Sequence, residues 1–481
     1  MNATAPVLIT YADRLGGDIA GVGDLLDGEF GGVFAGVHLL PFFDPIDGAD
    51  AGFDPVDHTA VDPRLGTWDD VAALAVRHEL MADLIVNHVS ADSEEFRSWL
   101  ELGDAAPSAA LFLRPERVFD GAPTPEQRAA IYRPRPTSPF TEFTLADGTS
   151  QTMWTTFTDR QVDIDVEGEL GWGYLTGILD RFAAVGVASV RLDAVGYAIK
   201  RAGTSCFMLP ETFEFIDRLT AACHERGIEV LVEVHGHHLD QLAIAERVDL
   251  VYDFALPPLV LDALFTGDSS ALKRWIAIRP HNSINVLDTH DGIGVIDVGV
   301  DPRDPTRAGL LAPARIDALV EGIHERSEGA SRTATGASAS NLDLYQVNCT
   351  YLDALGGDEH RYLAARVLQC VLPGTAQIYY VGLLAGRNDT DLLARTGVGR
   401  DVNRHHFDAD EITAALDRPV VRRLLELLRW RATQPAFDGT FELLDTSDQV
   451  VAVRWSSRGS TVRIDVDVAT GDVTIDPPLP D

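Results

Sequence analysis

Short apolar runs recur along this chain at residues 7–10, 36–43, 83–88, 188–192, 229–234, 250–254, 284–287 and 377–381. Several are apolar nearly throughout, which is the pattern of strands covered on both faces of a parallel sheet. The segments between them carry a helical period. Thr67 stands before Asp69 and Asp70, and Val71, Leu74 and Ala75 follow on one face; this is a capped helix start with acids in its first turn. Pro210 opens a second helix, with Ile216, Leu219 and Cys223 at helical spacing, His224 and Arg226 in its last turn and Gly227 as its stop. Eight alternations of strand and helix predict a (β/α)8 TIM barrel.

Spacing locates two insertions. The stretch from His88 to Ala188 is about three times the roughly 30 residues of one barrel repeat. It is rich in Pro and Thr and holds one convincing helical run. The stretch from Asp291 to Gln377 is also long, and its small-residue run from Thr333 to Ser340 suits a mobile loop. The organisation predicted is barrel over 1–87, a loop-rich insertion after strand 3 over 88–167, and barrel over 168–291. A smaller insertion after strand 7 follows over 292–356, then barrel over 357–437. A small antiparallel β domain closes the chain over 438–481, where residues 462–468 alternate apolar and polar. Both insertions follow strand C-termini, the active-site face of a barrel.

Composition narrows the function classes. Apolar residues make up 46% and charged residues 23%, which excludes wholesale disorder. A net charge of −35 repels phosphate backbones and anionic lipid, so nucleic acid and membrane surfaces are excluded as partners. Lys200 and Lys273 are the only lysines; adaptation to high salt and the codon bias of a GC-rich genome both fit that. Cys206, Cys223, Cys349 and Cys370 are far apart and form no C-x-x-C pair, so neither a zinc site nor a disulfide framework is expected. No secretion signal or membrane-spanning run is visible, and a cytoplasmic protein is expected. The oligomeric state stays open, a homodimer included.

Three carboxylates stand at or just past strand ends: Asp193 in Arg191-Leu192-Asp193-Ala194, Glu233 in Val232-Glu233-Val234-His235, and Asp291 in Asp288-Thr289-His290-Asp291. A carboxylate emerging from a core is either paired or functional. Three of them, with Arg191 and His290 adjacent, fit glycosidic chemistry. A retaining enzyme needs a carboxylate nucleophile and a second carboxyl that serves first as acid, then as base. A guanidinium such as that of Arg191 favours the charged form of the nucleophile.

Four blocks carry a family resemblance: Asp83-Leu84-Ile85-Val86-Asn87-His88, Arg191-Leu192-Asp193-Ala194-Val195, Glu233-Val234-His235 and Leu287-Asp288-Thr289-His290-Asp291. In order and position they resemble the four signature regions of the α-amylase superfamily of glycoside hydrolases. Further segments narrow the resemblance to its sucrose phosphorylase branch. Among them are residues 9–15, 40–43, 48–58, 132–136, 161–165, 202–207, 251–258, 339–348 and 399–405. The resemblance covers the chain to about residue 437 and is weak beyond it.

That resemblance implies Asp193 as nucleophile, Glu233 as general acid/base and Asp291 as transition-state stabiliser. It implies that Asp50 and Arg400 hold the far hydroxyls of a glucosyl ring and that His88 and His290 hold others. Phe53 and Phe157 would be apolar platforms, and Gln161 would lie toward the acceptor. It also implies no metal and no cofactor, with sucrose and inorganic phosphate as substrates and glucose 1-phosphate and fructose as products. Phosphate approaching a carboxylate-lined site needs positive charge and donors. Arg135, His235, Tyr345 and the backbone of the 340–346 loop would supply them. The loop is expected to have two states, one offering Leu342, Asp343 and Gln346 to fructose, the other withdrawing Asp343 and bringing Tyr345 with Arg135 to phosphate. After His235 the chain reads Gly236-His237-His238, where bulkier aromatic residues would be expected near the acceptor. Three alternatives stand beside this reading. One is a sister phosphorylase acting on sucrose 6′-phosphate, glucosylglycerol or glucosylglycerate. Another is an α-glucoside hydrolase or transglucosylase, and the third a catalytically dead barrel used for binding.

Overall fold

The computed structural model describes residues 5–48, 50–133, 138–336 and 341–479. Eight strands close a parallel barrel in chain order. They are β1 (Val7–Thr10), β2 (Gly36–Leu39), β3 (Glu79–Ile85), β4 (Ser189–Asp193), β5 (Glu229–Val232), β6 (Leu250–Asp253), β7 (Ser283–Asn285) and β8 (Thr375–Tyr379). The alternation predicts this TIM barrel, with corrections at the strand edges. The run expected over 36–43 stops at Leu39, because Pro41 offers no N–H to a ladder; Phe43–Asp44 pairs instead with Asp57–Val61. The last strand ends at Tyr379 and the chain turns helical over Tyr380–Leu383. Among the described residues no helix is long and apolar enough to cross a membrane.

Contacts divide the chain into two compact units. One is Leu39–Val234 with Arg247–Asp249; the other is Met1–His38 with His235–Glu246 and Leu250–Asp481. In the first, β4 pairs in parallel with β3 and β5, and all five of its residues are buried. Helices α1 (Trp68–Arg77), α2 (Glu169–Val185) and α3 (Pro210–His224) belong to this unit. The Asp70 carboxylate reaches back 2.8 Å to the Thr67 N–H, and Val71 and Leu74 form the buried face of α1. After α3, Gly227 takes a left-handed φ of +71°, which glycine adopts without strain, and the chain enters β5.

The 88–167 insertion has more regular structure than its composition suggests. His88–Ser90 pairs with Gln161–Asp163, and Phe140–Thr144 forms a hairpin with Ser150–Trp154. Helix Glu94–Leu102 is joined by two short ones, Pro115–Val118 and Pro125–Ala130. Leu113, Phe119, Phe140, Trp154 and Cys206 form its apolar centre.

In the second unit, β1 pairs with β8, β8 with β7 and β7 with β6. Helices α4 (Leu256–Thr266), α5 (Glu359–Val371) and α6 (Pro419–Thr433) lie here. The 292–356 insertion carries helix Pro313–Arg326 and a short helix Ala330–Thr335. That short helix corrects part of the expected mobile loop. Ser331 is buried against the His324 ring and the Ser327 hydroxyl, each at 2.7 Å, and these bonds stabilise the turn. Residues 337–340 lie outside the described residues.

The C-terminal domain is a four-stranded antiparallel sheet, β9 (Thr440–Leu444), β10 (Val450–Ser457), β11 (Ser460–Asp467) and β12 (Val473–Asp476). The alternation in β11 buries Val462, Ile464 and Val466. The Trp455 indole N–H ties the sheet to the end of α5 through the Val371 carbonyl at 2.7 Å.

A fully buried ion pair is built on the last residue of β6. Arg279 Nε lies 2.6 Å from Asp253, which also accepts from the Trp275 indole at 2.9 Å. Arg279→Met strands that carboxylate and should cost about 3–5 kcal/mol of stability. Urea unfolding of the two proteins measures the difference.

Candidate active site

All strands of a closed parallel barrel present their C-termini at one rim. β4 ends at Asp193, β5 leads directly to Glu233, and the loop after β7 carries Asp291. Arg191 and Asp193 are two apart on β4, so both side chains leave the same face. Asp83 stands beside Arg191 in the β3–β4 register. The Arg191 guanidinium, 2% exposed, lies 2.5 Å from Asp83, 3.0 Å from Asp193 and 4.0 Å from Glu233. One buried cation is thus shared by a structural acid below it and two acids at the rim.

Glu233 has a second restraint. Ala194 adopts a left-handed backbone, φ 57°, ψ 19°, and its N–H donates to Glu233 Oε2 at 3.2 Å. A non-glycine residue held in that region stores strain, and here it aims an amide at a rim carboxylate.

The glucosyl side expected from the sequence is grouped in the same unit. His88 Nε2 donates to the Phe53 carbonyl at 3.0 Å. Burial pushes the His88 imidazole below its ordinary range, against the opposing pull of Asp163, that carbonyl and Asp50. Phe157 packs 5.3 Å from His88 and 5.1 Å from Tyr197, and the Phe53 ring lies 5.4 Å from the Arg191 guanidinium. Asp50 is half-buried and its N–H donates to Asp54 at 3.1 Å. Gln161 is 1% exposed, and its Oε1 accepts from the Thr158 hydroxyl at 3.1 Å.

In the other unit, a turn at Gly399–Asn403 braces the loop after β7. Asn403 donates to the Thr289 carbonyl at 3.0 Å and Arg404 to the His290 carbonyl at 2.9 Å. Arg400 then pairs with Asp291 at 2.7 Å and donates to Gln346 Oε1 at 3.2 Å. His290 is buried, 3.7 Å from Asp291 and edge-on to Tyr11. His235 stacks on Phe254 at 3.7 Å, with Tyr345 5.4 Å away. Leu342 is 50% exposed. Arg135 and the side chain of Asp343 lie outside the described residues.

Residues 8–263 match the family described as alpha amylase, catalytic domain. A sucrose phosphorylase of Agrobacterium vitis is 55% identical over 469 residues, 97% of this chain and 96% of that protein. The chain belongs to the sucrose phosphorylase family. A second member, from Bifidobacterium adolescentis, is 52% identical over 94% of this chain and 90% of that protein. The crystal structure of a sucrose 6F-phosphate phosphorylase from Thermoanaerobacter thermosaccharolyticum superposes with a TM-score of 0.92 at 35% identity, covering 99% of this chain and 96% of that one.

Within that family frame, the Gly236-His237-His238 departure is local. His237 Nε2 lies 3.0 Å from the Ala308 carbonyl, and burial pushes the His238 imidazole down to about 4. Sequence reasoning missed two residues around the family's site. Lys200 places its ammonium 2.7 Å from Asp163 and 2.8 Å from Asn87, with the Tyr197 carbonyl as a third partner. Such oxygens suit a hard cation, and here the ammonium serves them. Asp297, fully buried, lies 2.8 Å from His235. Neither residue belongs to a motif that spacing picks out.

Proposed function

We propose that this chain transfers a glucosyl group from sucrose to inorganic phosphate, giving α-D-glucose 1-phosphate and D-fructose with retention. The observation that carries the reading is the shared Arg191 seat under Asp193 and Glu233, in a chain of this family. Asp193 attacks the anomeric carbon as Glu233 gives its proton to the departing fructosyl oxygen. The glycosidic C–O bond breaks, and glucose is left esterified to Asp193. A phosphate oxygen then attacks the same carbon from the vacated face. The ester bond breaks, Asp193 regains its electron pair, and the phosphate proton goes to Glu233. Two inversions give net retention. Asp291 supports the positive charge that develops on the ring.

Phosphate brings negative charge to a site with at least two carboxylates, on a chain of net −35. Arg135 and Tyr345 are the donors we assign to it, and His235, whose two ring nitrogens already face Asp297 and Gln346, is assigned to the wall of that subsite; Leu342, Asp343 and Gln346 are assigned to fructose. Asp50, Phe53, His88, Phe157, His290 and Arg400 are assigned to the glucosyl ring. The four free cysteines are all buried, which suits a reducing compartment, the cytoplasm.

Proton and phosphorus NMR of purified protein with sucrose is the test, run with and without phosphate. The α-anomer of glucose 1-phosphate should form only with phosphate. Glucose released at the same rate in its absence would make the enzyme a hydrolase. Parallel runs with sucrose 6F-phosphate and glucosylglycerol would expose a different acceptor preference.

A further inference from the structure

Two residues past Glu233, a line of hydrogen bonds runs from a buried carboxylate to the rim. Asp297, in the turn Ile296–Val298, is fully buried. Its Oδ1 accepts from the Gly236 N–H at 3.1 Å and the Gln241 amide at 3.2 Å, and its Oδ2 lies 2.8 Å from His235 Nδ1. On the far side of the ring, His235 Nε2 lies 3.0 Å from Gln346 Nε2. Gln346 Oε1 faces the Gly292 N–H at 3.4 Å and Arg400 at 3.2 Å, and Arg400 meets Asp291 at 2.7 Å.

Donors and acceptors fit this line in one sense only. The Gly292 amide and the Arg400 guanidinium can only donate, so they hold the oxygen end of Gln346. Its NH2 end therefore points at His235, whose Nε2 must offer a lone pair. The proton of the neutral ring then sits on Nδ1, where a carboxylate is waiting. Gly294 leaves the room for this: a Cβ there would lie 2.2 Å from Asp297 Oδ2 and 3.1 Å from His235 Nδ1.

We propose that Asp297 is a positioning residue that sets the hydrogen-bond polarity of the line through His235, Gln346 and Arg400, and so holds Arg400 on Asp291 and the Gln346 amide in its working orientation. The proposal rests on the reaction assigned above for its catalytic meaning. Asp297 itself touches no substrate in that reaction.

Polarity and mere support predict opposite orders of damage. In Asp297→Asn the oxygen of the amide must stay with the Gly236 N–H, so its NH2 faces His235 Nδ1. The ring proton moves to Nε2, Gln346 turns over, and its NH2 meets Arg400 donor to donor. In Asp297→Ala nothing forces the ring to reverse, and Gln346 keeps its orientation. The isosteric Asn variant should therefore lose more kcat per folded enzyme than the Ala variant, on the order of 10–100-fold against wild type. KM for sucrose should move less than about threefold, as for an interaction lost mainly in the transition state.

A second measurement needs no turnover. The 15N shifts of the His235 ring, assigned against His235→Gln, should show the proton on Nδ1 in the wild type and on Nε2 in Asp297→Asn. The same tautomer in both proteins, or a larger loss of kcat in a folded Asp297→Ala, overturns the proposal. If Asp297→Ala does not fold, the ring shifts decide it. If the wild type makes no glucose 1-phosphate, the assigned reaction falls, and the tautomer result still decides the line of bonds.

Discussion

Asp193→Asn should stop phosphorolysis of sucrose while leaving the protein folded. The carboxylate is the group we assign to bond with glucose, and an amide of the same shape offers no comparable nucleophile. Losing a covalent route of this kind costs on the order of 10⁵-fold in kcat. The fold should tolerate the change, because Arg191 keeps its 2.5 Å bond to Asp83 when its 3.0 Å bond to Asp193 weakens. Two measurements are paired here. Release of glucose 1-phosphate should vanish, while the thermal midpoint and the calorimetric affinity for sucrose stay close to wild type. Mass spectrometry of a quenched reaction should find glucose on the Asp193 peptide of the wild type only. A variant that turns over at the wild-type rate removes Asp193 as nucleophile.

The seat of Asp193 shows how far sequence reading reaches. The barrel was legible because its strands are apolar on both faces, and the rim acids were legible because each stands at or a few residues past the end of such a run. Arg191 and Asp193 share a face by the two-residue period alone. The 140–154 hairpin was not legible, since Thr141, Glu142 and Thr144 dilute its apolar alternation and its stability comes from packing on Phe119 and Leu113. Lys200 and Asp297 were missed for a related reason. Their partners arrive from far along the chain: Asn87 is 113 residues from Lys200, and His235 is 62 from Asp297. A buried charge reads as an anomaly in sequence until its partner is known, and no local pattern names the partner.

Glu233→Gln separates the two halves of the reaction. Fructose leaves as a poor leaving group unless its oxygen is protonated, and an amide side chain cannot give that proton. General acid catalysis contributes roughly 10²–10⁴-fold, so kcat on sucrose should fall by about 10³-fold or more. α-Glucosyl fluoride needs no such proton, because fluoride departs as an anion. With that donor the first step should slow by less than about tenfold. The second step should also survive, because phosphate is acidic enough to lose its proton with little help. The Ala194 N–H, which donates to Glu233 Oε2 at 3.2 Å in the wild type, can still donate to the amide oxygen of the variant side chain. Misplacement of that side chain is therefore a small part of the loss. The expected result is a variant nearly silent on sucrose that makes glucose 1-phosphate from the fluoride and phosphate. Equal slowing on both donors would mean that Glu233 is not the group that protonates the leaving oxygen.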